Sequence, residues 1–366
     1  MKIQSSGLLP LDPHHPLPCN ARGGCWLAGD ERADENNALA SIHTLFVREH
    51  NRIADELGFI NPSWNGEKIY DETRKIVGGV FQHIVYNEYI PTLTDLSRFT
   101  GYKPHVDASA SSAFATAAYR FGHGEVPNFW PSLDANFDQA YPPLLLRAMY
   151  FNNTFLFDRG IEPMTFGLLG NETESANNVI AESLSRFLFI PIGRSGLADL
   201  MSFNLQRGRE HGIPGYWHWR KHCGLGTSRN FDSLLQDLDK PNIEKLKKLY
   251  NNRMEHVDLW AGGIAEKHVR GKALGRTFGC ILKDQFERLR DGDRFYYENE
   301  GVFSEAQLRS IKEMSFARVF CNNLKGMVSV QEDVFYAGRS NRVSRVSCDR
   351  IPQLDLSPWR QATSTI

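Results

Sequence analysis

Apolar residues recur every three or four positions along several stretches of the chain, a spacing typical of amphipathic helices packed on a core. Residues 37–57 carry such a stripe through Leu45 and Leu57, with charged residues on the opposite side. Residues 67–90 repeat the pattern, and Pro91 predicts its end because proline lacks the N–H that a helix interior needs. Further helices are predicted at 108–122, 177–188, 197–207, 215–222, 242–251, 272–290 and 304–319.

Strand patterns are weak in this sequence. Apolar and polar residues alternate only over short runs such as 327–330 and 343–346. No internal repeat is seen, and no change of composition divides the chain. We therefore predict a mainly α protein that forms a single domain over residues 1–366.

The composition is that of a globular protein, with 41% hydrophobic and 23% charged residues. The 42 Lys and Arg nearly balance the 43 Asp and Glu, for a formal net charge of -1. Such a small charge argues against binding to nucleic acid or to an anionic membrane surface. No apolar run approaches the roughly 18 residues of a membrane span. Residues 1–7 lack the apolar core of a secretory signal, which on its own predicts a cytosolic start.

The cysteines and the glycosylation sequons argue against a cytosolic location. The sequence has six cysteines; Cys19 and Cys25 flank a short loop and could close a small ring. No Cys-x-x-Cys pair is present, so zinc binding and thiol redox chemistry are not indicated. Sequons at Asn152 and Asn171, together with the even cysteine number, favour an oxidising compartment. Six reduced core cysteines are the alternative.

Two polar segments could carry chemistry. Residues 119–124, Tyr-Arg-Phe-Gly-His-Gly, place His123 at the end of a predicted helix, where a neutral imidazole could bind a transition metal. Arg120 could neutralise an anionic group nearby, although a lone histidine here is more often a capping or surface residue. In the second segment, 203–216, Asn204 offers a carbonyl that can accept a hydrogen bond from a buried imidazole. A solvated loop is the alternative interpretation.

Four motifs in a fixed order give these residues a more specific interpretation. They are L-A-G-D-x-R-x-x-E from Leu27, H-T-L-x-x-R-E-H-N-R from His43, R-F-G-H from Arg120 and N-x-Q-R-x-R-x-H-G-x-P-G-Y from Asn204. Together they resemble the animal haem peroxidase family, and the resemblance runs from about Leu8 to Trp359. It implies a bound haem b and a peroxidase, which reduces hydrogen peroxide while oxidising a small donor: halide, thiocyanate, or a phenol such as tyrosine.

Carried over position by position, the resemblance assigns five residues to the haem site. His123 is expected to bind the iron axially, and Asn204 to accept a hydrogen bond from the Nδ1–H of that imidazole. Arg32 is expected to polarise the O–O bond of peroxide as a catalytic residue. Glu35 matches the glutamate that forms an ester to a haem methyl, and Arg120 matches an arginine near the haem propionates.

The resemblance also implies an extracellular, secreted protein with three disulfides. The pairs are Cys19–Cys25, Cys223–Cys280 and Cys321–Cys348, and the last would staple back the tail from about residue 321. After His123 stands Gly124, where a threonine or serine is common in the family, so the turn is expected to be loosened.

Part of the family pattern has no counterpart here. No G-Q-x-x-x-H-D motif is present, and with it the distal histidine and a haem-linking aspartate are missing. The calcium of the full-length family likewise has no site in this chain. The distal histidine moves a proton between the peroxide oxygens, and such a general acid–base typically contributes about 10²–10⁴-fold in rate. Arg32 cannot replace it, because a guanidinium stays protonated.

Three interpretations follow for the function. The chain is the C-terminal part of an active peroxidase, as a fragment or isoform. Alternatively, it is one of two chains, and the second chain supplies the distal segment. In the third interpretation it is a catalytically inactive haem-binding or extracellular scaffold protein. The joint presence of Arg32, Glu35, His123 and Asn204 favours the first two.

Overall fold

The computed structural model describes residues 1–14, 19, 24–190, 192–338 and 344–361. Helices dominate, which confirms the predicted fold class, and no helix among the described residues is long and apolar enough to cross a membrane. The chain forms two compact units. The first unit is Met1–Glu88, Phe129–Glu172 and Tyr297–Ile366; the second unit is Tyr89–Asn128 and Thr173–Tyr296. The prediction of one domain over 1–366 is not tested by this division.

The first unit contains seven of the described α-helices and the described strands. The helices are α1 (Asn37–Ile60), α2 (Gly66–Ile84), α5 (Leu146–Met149), α6 (Thr154–Arg159), α7 (Glu162–Gly170), α14 (Glu305–Glu313) and α15 (Phe316–Asn323). The strands pair antiparallel, β1 (Leu11–Asp12) with β2 (Cys25–Trp26), β3 (Phe129–Leu133) with β4 (Gln139–Leu145), and β5 (Ser329–Gln331) with β6 (Arg345–Ser347). A 3₁₀ turn spans Glu31–Asp34.

In the second unit, the regular secondary structure of the described residues is helical apart from isolated bridges. Its α-helices are α3 (Ile90–Leu93), α4 (Ser112–Thr116), α8 (Glu182–Ser185), α9 (Leu200–Glu210), α10 (Tyr216–His222), α11 (Lys240–Leu249), α12 (Leu259–Ile264) and α13 (Arg276–Asp291). A 3₁₀ turn spans Ala118–Gly124.

Helix α1 is the centre of the first unit, and its predicted apolar stripe is confirmed. Leu45, Ile53 and Leu57 are completely buried, and the helix packs against α2, α7 and α15. Its start is fixed by Asn36, whose side-chain oxygen accepts hydrogen bonds from the first free N–H groups of the helix.

Pro91 does not end the predicted second helix. Helix α2 stops at Ile84, a π-helical turn follows over Val85–Tyr89, and α3 begins at Ile90 with Pro91 in its first turn. Proline is tolerated there because the first N–H groups of a helix have no partner within the helix. The prediction placed a stop signal where the structure has a start.

Other boundaries were also wrong. The helix predicted at 108–122 is reduced to α4 and a 3₁₀ turn, because the backbone of Ala117 leaves the helical region between them. Only α8 forms within 177–188, and the helix predicted at 304–319 is interrupted before Phe316.

Disulfides join the three predicted pairs, Cys19–Cys25, Cys223–Cys280 and Cys321–Cys348. The Cys321–Cys348 bond holds the tail beside the β5–β6 pair. The second predicted strand run, 343–346, begins at residue 343, which lies outside the described residues. Cys223 and Cys280 are 57 residues apart, and in the chain-entropy description closing such a loop stabilises the fold by about 4 kcal/mol. Cys19, Cys25 and Asp34 lie close enough together to suggest a metal site. They do not form one, because the two sulfurs are bonded to each other.

A buried ionic network braces the second unit. Arg220, on α10, donates to Asp237 and to Glu266 at 2.5 and 3.0 Å, and all three side chains are at least 95% buried. Glu266 also accepts from the hydroxyls of Tyr216 and Thr277. Because every charge has a partner, the burial penalty that an isolated charge would carry is offset.

Candidate functional site

The 3₁₀ turn at Ala118–Gly124 carries His123 and is set by close packing in the second unit. The turn lies on α12 and α13, and α9 packs on the same helix α12. Helix α12 can approach closely because it contains glycines: a Cβ on Gly263 would lie 2.2 Å from the ring of Phe278. Side chains on the turn and on α9 are therefore brought together by tertiary contacts.

His123 is a partly buried, neutral imidazole. Burial, and to a smaller extent the charge of Arg120, lower its pKa to about 4, and the hydrogen bond with Asn204 acts in the opposite direction. Its Nδ1 lies 2.9 Å from the side-chain nitrogen of Asn204. Among the described residues, no hydrogen-bond partner is found for Nε2. One ring nitrogen is thus held while the other is open to a ligand.

Asn204 connects the histidine to an arginine. It is 99% buried on α9, and its side-chain oxygen accepts a hydrogen bond of 3.2 Å from Arg120. Its nitrogen faces the imidazole. The contact between Arg120 and Asn204 was missed by sequence reasoning, because 84 residues separate them and no local pattern joins them.

The turn after His123 was expected to be loosened by Gly124, but the structure shows it closely packed. A Cβ at this position would lie 2.9 Å from the backbone oxygen and 3.0 Å from the backbone nitrogen of Asn177. The next residue, Glu125, accepts a backbone hydrogen bond from Glu174. The segment after His123 is therefore tightly backed by the chain at 174–177.

Arg32 lies in the first unit, in the 3₁₀ turn Glu31–Asp34, and its side chain is 76% exposed. Two of its nitrogens donate to the two carboxylate oxygens of Asp30 at 3.0 and 2.7 Å. These hydrogen bonds, the largest cause, lower the pKa of Asp30 to about 2. The sequence did not predict this pair, although an aspartate two residues before an arginine at a turn could have suggested it.

Glu35 follows the same turn and is partly buried. Burial raises the pKa of its carboxyl, and the charge of Arg32 opposes this shift. The turn is anchored by Asp34, which is completely buried and accepts the backbone N–H of Trp26 at 2.9 Å. Asn153 donates to the same carboxylate.

The predicted site residues thus fall into two groups. His123, Asn204 and Arg120 are hydrogen-bonded together in the second unit, and Arg32 and Glu35 neighbour each other in the first. His43 belongs with the group of Arg32 and Glu35, although sequence reasoning treated it as an ordinary helix residue. Burial lowers the pKa of His43, and the charges of Asp30 and Arg32 act on it in opposite directions.

Comparison with known proteins identifies the lineage. The profile of the animal haem peroxidase family matches residues 1–335. The chain is 41% identical to human peroxidasin homolog over 376 residues, covering 98% of this chain and 25% of that protein. It is also 41% identical to human lactoperoxidase over 377 residues, covering 98% of this chain and 52% of the relative.

Among solved structures, Peroxidase A from Dictyostelium discoideum matches with a TM-score of 0.77 and 35% identity, covering 89% of this chain and 62% of that one. The chain therefore spans about half or less of the length of the curated relatives it matches. The fold, the family profile and the sequence identities agree, and the chain belongs to the animal haem peroxidase family.

Proposed function

We propose that this chain binds haem b through His123 and takes part in the oxidation of a small donor by hydrogen peroxide. The observation that carries the proposal is the state of this imidazole: neutral, held at Nδ1, and open at Nε2. A neutral imidazole with one oriented nitrogen is the donor that haem iron takes from a protein. The residues present therefore fit the group that the family uses. Haem supplies the redox-active iron at which peroxide is reduced and a donor is oxidised.

Asn204, and Arg120 bound to it, would change roles when Nε2 of His123 binds iron. The proton of a neutral imidazole then resides on Nδ1, which needs an acceptor. Asn204 can provide one if its amide turns so that the oxygen faces the ring. Arg120 then loses its present acceptor, and its guanidinium is free to pair with a haem propionate.

Arg32 is proposed to act on the peroxide side. Its fixed positive charge can stabilise the hydroxide that departs when the O–O bond breaks. It cannot accept the proton of bound peroxide, because it is already protonated. We propose that a histidine outside these 366 residues performs that step, supplied by an upstream segment or by a second chain. The ester between Glu35 and a haem methyl is proposed on the family pattern alone.

We further propose an extracellular location. The structure contains three disulfides, which persist in oxidising compartments. Asn171 is exposed and is the better glycosylation site, since Asn152 is partly buried.

A haemin titration tests the proposed ligand. The chain is expected to give a saturable Soret band, and His123→Ala is expected to lose it. His105→Ala is the matched control, because that histidine is exposed in the same unit. Equal binding by the His123→Ala variant, or no saturable binding by the parent chain, would contradict the assignment.

Turnover is a separate measurement. We expect the 366-residue chain to oxidise a phenol about 10²–10⁴-fold more slowly than the same chain extended with the sequence encoded upstream of Met1. Equal rates would refute an external general base. Haem binding without turnover in either form would identify a haem-binding scaffold, and would leave the choice of halide, thiocyanate or phenol without meaning.

A further inference from the structure

Two histidines stand on the outer face of helix α10 and take no part in the proposed haem site. His218 and His222 are four residues apart, and both are exposed. Residues four apart in an α-helix lie on the same face, with Cβ atoms roughly 5–6 Å from each other. Two imidazoles of one helix hold zinc at this spacing in metalloproteases.

The opposite face of α10 determines which side the histidines occupy. Tyr216 and Arg220 are buried, and they too are four residues apart. Arg220 forms ion pairs with Asp237 and Glu266, which are also buried. The helix cannot turn about its axis without breaking this ionic network. The two histidines are therefore kept on the solvent side.

The C-terminal end of α10 is also well defined. The N–H groups of Gly224 and Leu225 donate to carbonyls of the last helical turn at 3.1 and 2.8 Å, and Gly224 has a φ of +70°. This pair of bonds is a Schellman motif, which closes the last turn of a helix. His222 lies in that turn, and the Cys223–Cys280 disulfide ties the following residue to α13. The spacing of the two histidine backbones is thus set before a ligand binds.

Each imidazole lies against a tryptophan ring. His218 meets Trp217 with ring centroids 4.8 Å apart, and His222 meets Trp219 at 5.4 Å. Both contacts are edge to face, with interplanar angles of 77° and 76°. Among the described residues, neither imidazole has a hydrogen-bond or ion-pair partner. Binding of an ion therefore breaks no polar contact of either histidine.

We propose that His218 and His222 form a binding site for one divalent transition-metal ion, Cu²⁺ or Zn²⁺. Neutral imidazole is a suitable ligand for both metals, and its nitrogen lies about 2 Å from a bound zinc. No third histidine, cysteine or carboxylate among the described residues joins the pair, so water fills the remaining positions. The site is therefore open and its ion exchangeable, unlike the closed four-ligand sites that hold structural zinc.

Charges near the site act on a bound cation in opposite directions. The carbonyl groups at the C-terminal end of a helix carry partial negative charge, which favours a cation beside His222. Lys221 is exposed between the two histidines, and its ammonium group repels a cation. Copper lies above zinc in the stability order of divalent metals, so we expect Cu²⁺ to bind more tightly than Zn²⁺.

A copper titration followed by tryptophan fluorescence tests the site. Cu²⁺ quenches the fluorescence of an indole that it approaches closely, and two of the seven tryptophans contact the proposed ligands. The haem-free 366-residue chain is expected to show saturable quenching at one ion per chain. His218→Ala and His222→Ala should each weaken the apparent affinity about 10²-fold, because the second imidazole binds intramolecularly.

His105→Ala is the matched control, since His105 is an exposed histidine of the same unit, and it should titrate like the parent chain. Equal affinities for the parent and the double variant His218→Ala/His222→Ala would overturn the inference. A parent chain without saturable quenching would overturn it as well. Because no haem is present, neither result bears on the proposed iron ligand.

Hydrogen exchange with and without Zn²⁺ locates the ion. An ion held by two successive turns should slow exchange of the amides at 219–223 several-fold, because the last turn then opens only after the ion is released. The amides of α11, in the same unit, should not change. The double variant should lose the effect. Unchanged exchange at 219–223, or equal slowing in parent and double variant, would refute the site.

Discussion

Two 3₁₀ turns, one in each unit, present the residues proposed to face haem, and they hold them in different ways. His123 is fixed by Asn204, which lies on another helix and is 99% buried. Arg32 is fixed by Asp30, two residues away at the surface, and its side chain is 76% exposed. The first arrangement depends on tertiary structure, and the second is local.

The two turns therefore differ in how firmly their side chains are held before a ligand binds. A surface ion pair contributes about 0–1 kcal/mol, so Arg32 can leave Asp30 at little cost. Leaving a buried polar group unpaired costs about 1–3 kcal/mol, so Asn204 resists any change that lacks a substitute partner. The position of His123 is set before a ligand arrives and only the amide of Asn204 has to turn, whereas the whole side chain of Arg32 can still reorient.

The largest expected effect comes from removing the tertiary partner of His123. Asn204→Ala should weaken haemin binding about 10–100-fold, because the ring loses the group that orients it. Gln206→Ala, an exposed change on the same helix, is the control. Equal Soret titrations for both variants would show that His123 is oriented without Asn204.

A medium effect is expected behind the histidine. Gly124→Ala places a methyl group against the backbone of Asn177 and should lower the free energy of unfolding by about 1 kcal/mol. Gly122→Ala is matched to it, since a Cβ there meets no atom within 4 Å. Chemical denaturation measures both, and a Gly124→Ala protein as stable as the Gly122→Ala protein would argue that the 174–177 segment is free to move.

The smallest effect should follow changes at the arginine turn. Arg32→Ala and Asp30→Asn are each expected to change the free energy of unfolding by no more than about 0.5 kcal/mol. Because the pKa of Asp30 is lowered to about 2, any contribution of the pair is complete above the ordinary value of 3.8 and is lost as pH falls towards 2. Thermal melts from pH 5 to 8 should therefore show no pH-dependent difference between Asp30→Asn and the parent; a clear one would mean that the pair is not local.

The predictability of the fold followed how local each cause was. The stripe of α1 and its Asn36 cap are local, and the helix was predicted within a few residues. The β3–β4 hairpin was missed because it contains Pro131, Pro142 and Pro143, which usually argue against strands. Proline is accepted in this sheet of two strands because each is an edge strand with N–H groups that need no partner.

The site divides in the same way. Motif order identified His123, Asn204, Arg120, Arg32 and Glu35 as candidates, and the structure joins the first three through hydrogen bonds. No spacing rule could have predicted that Arg120 meets Asn204, because packing on α12 creates that contact. The Arg32–Asp30 pair was within reach of local reasoning but was overlooked, since the motif drew attention to the arginine alone.

The Cys223–Cys280 bond determines what a protease can separate. The loop at 224–230 is mostly exposed and lies inside the ring that this disulfide closes. A cut there opens the backbone but leaves both pieces covalently joined. The nicked protein would therefore migrate as one species on a non-reducing gel and as two after reduction, and only the reduced lane would reveal that it had been cleaved.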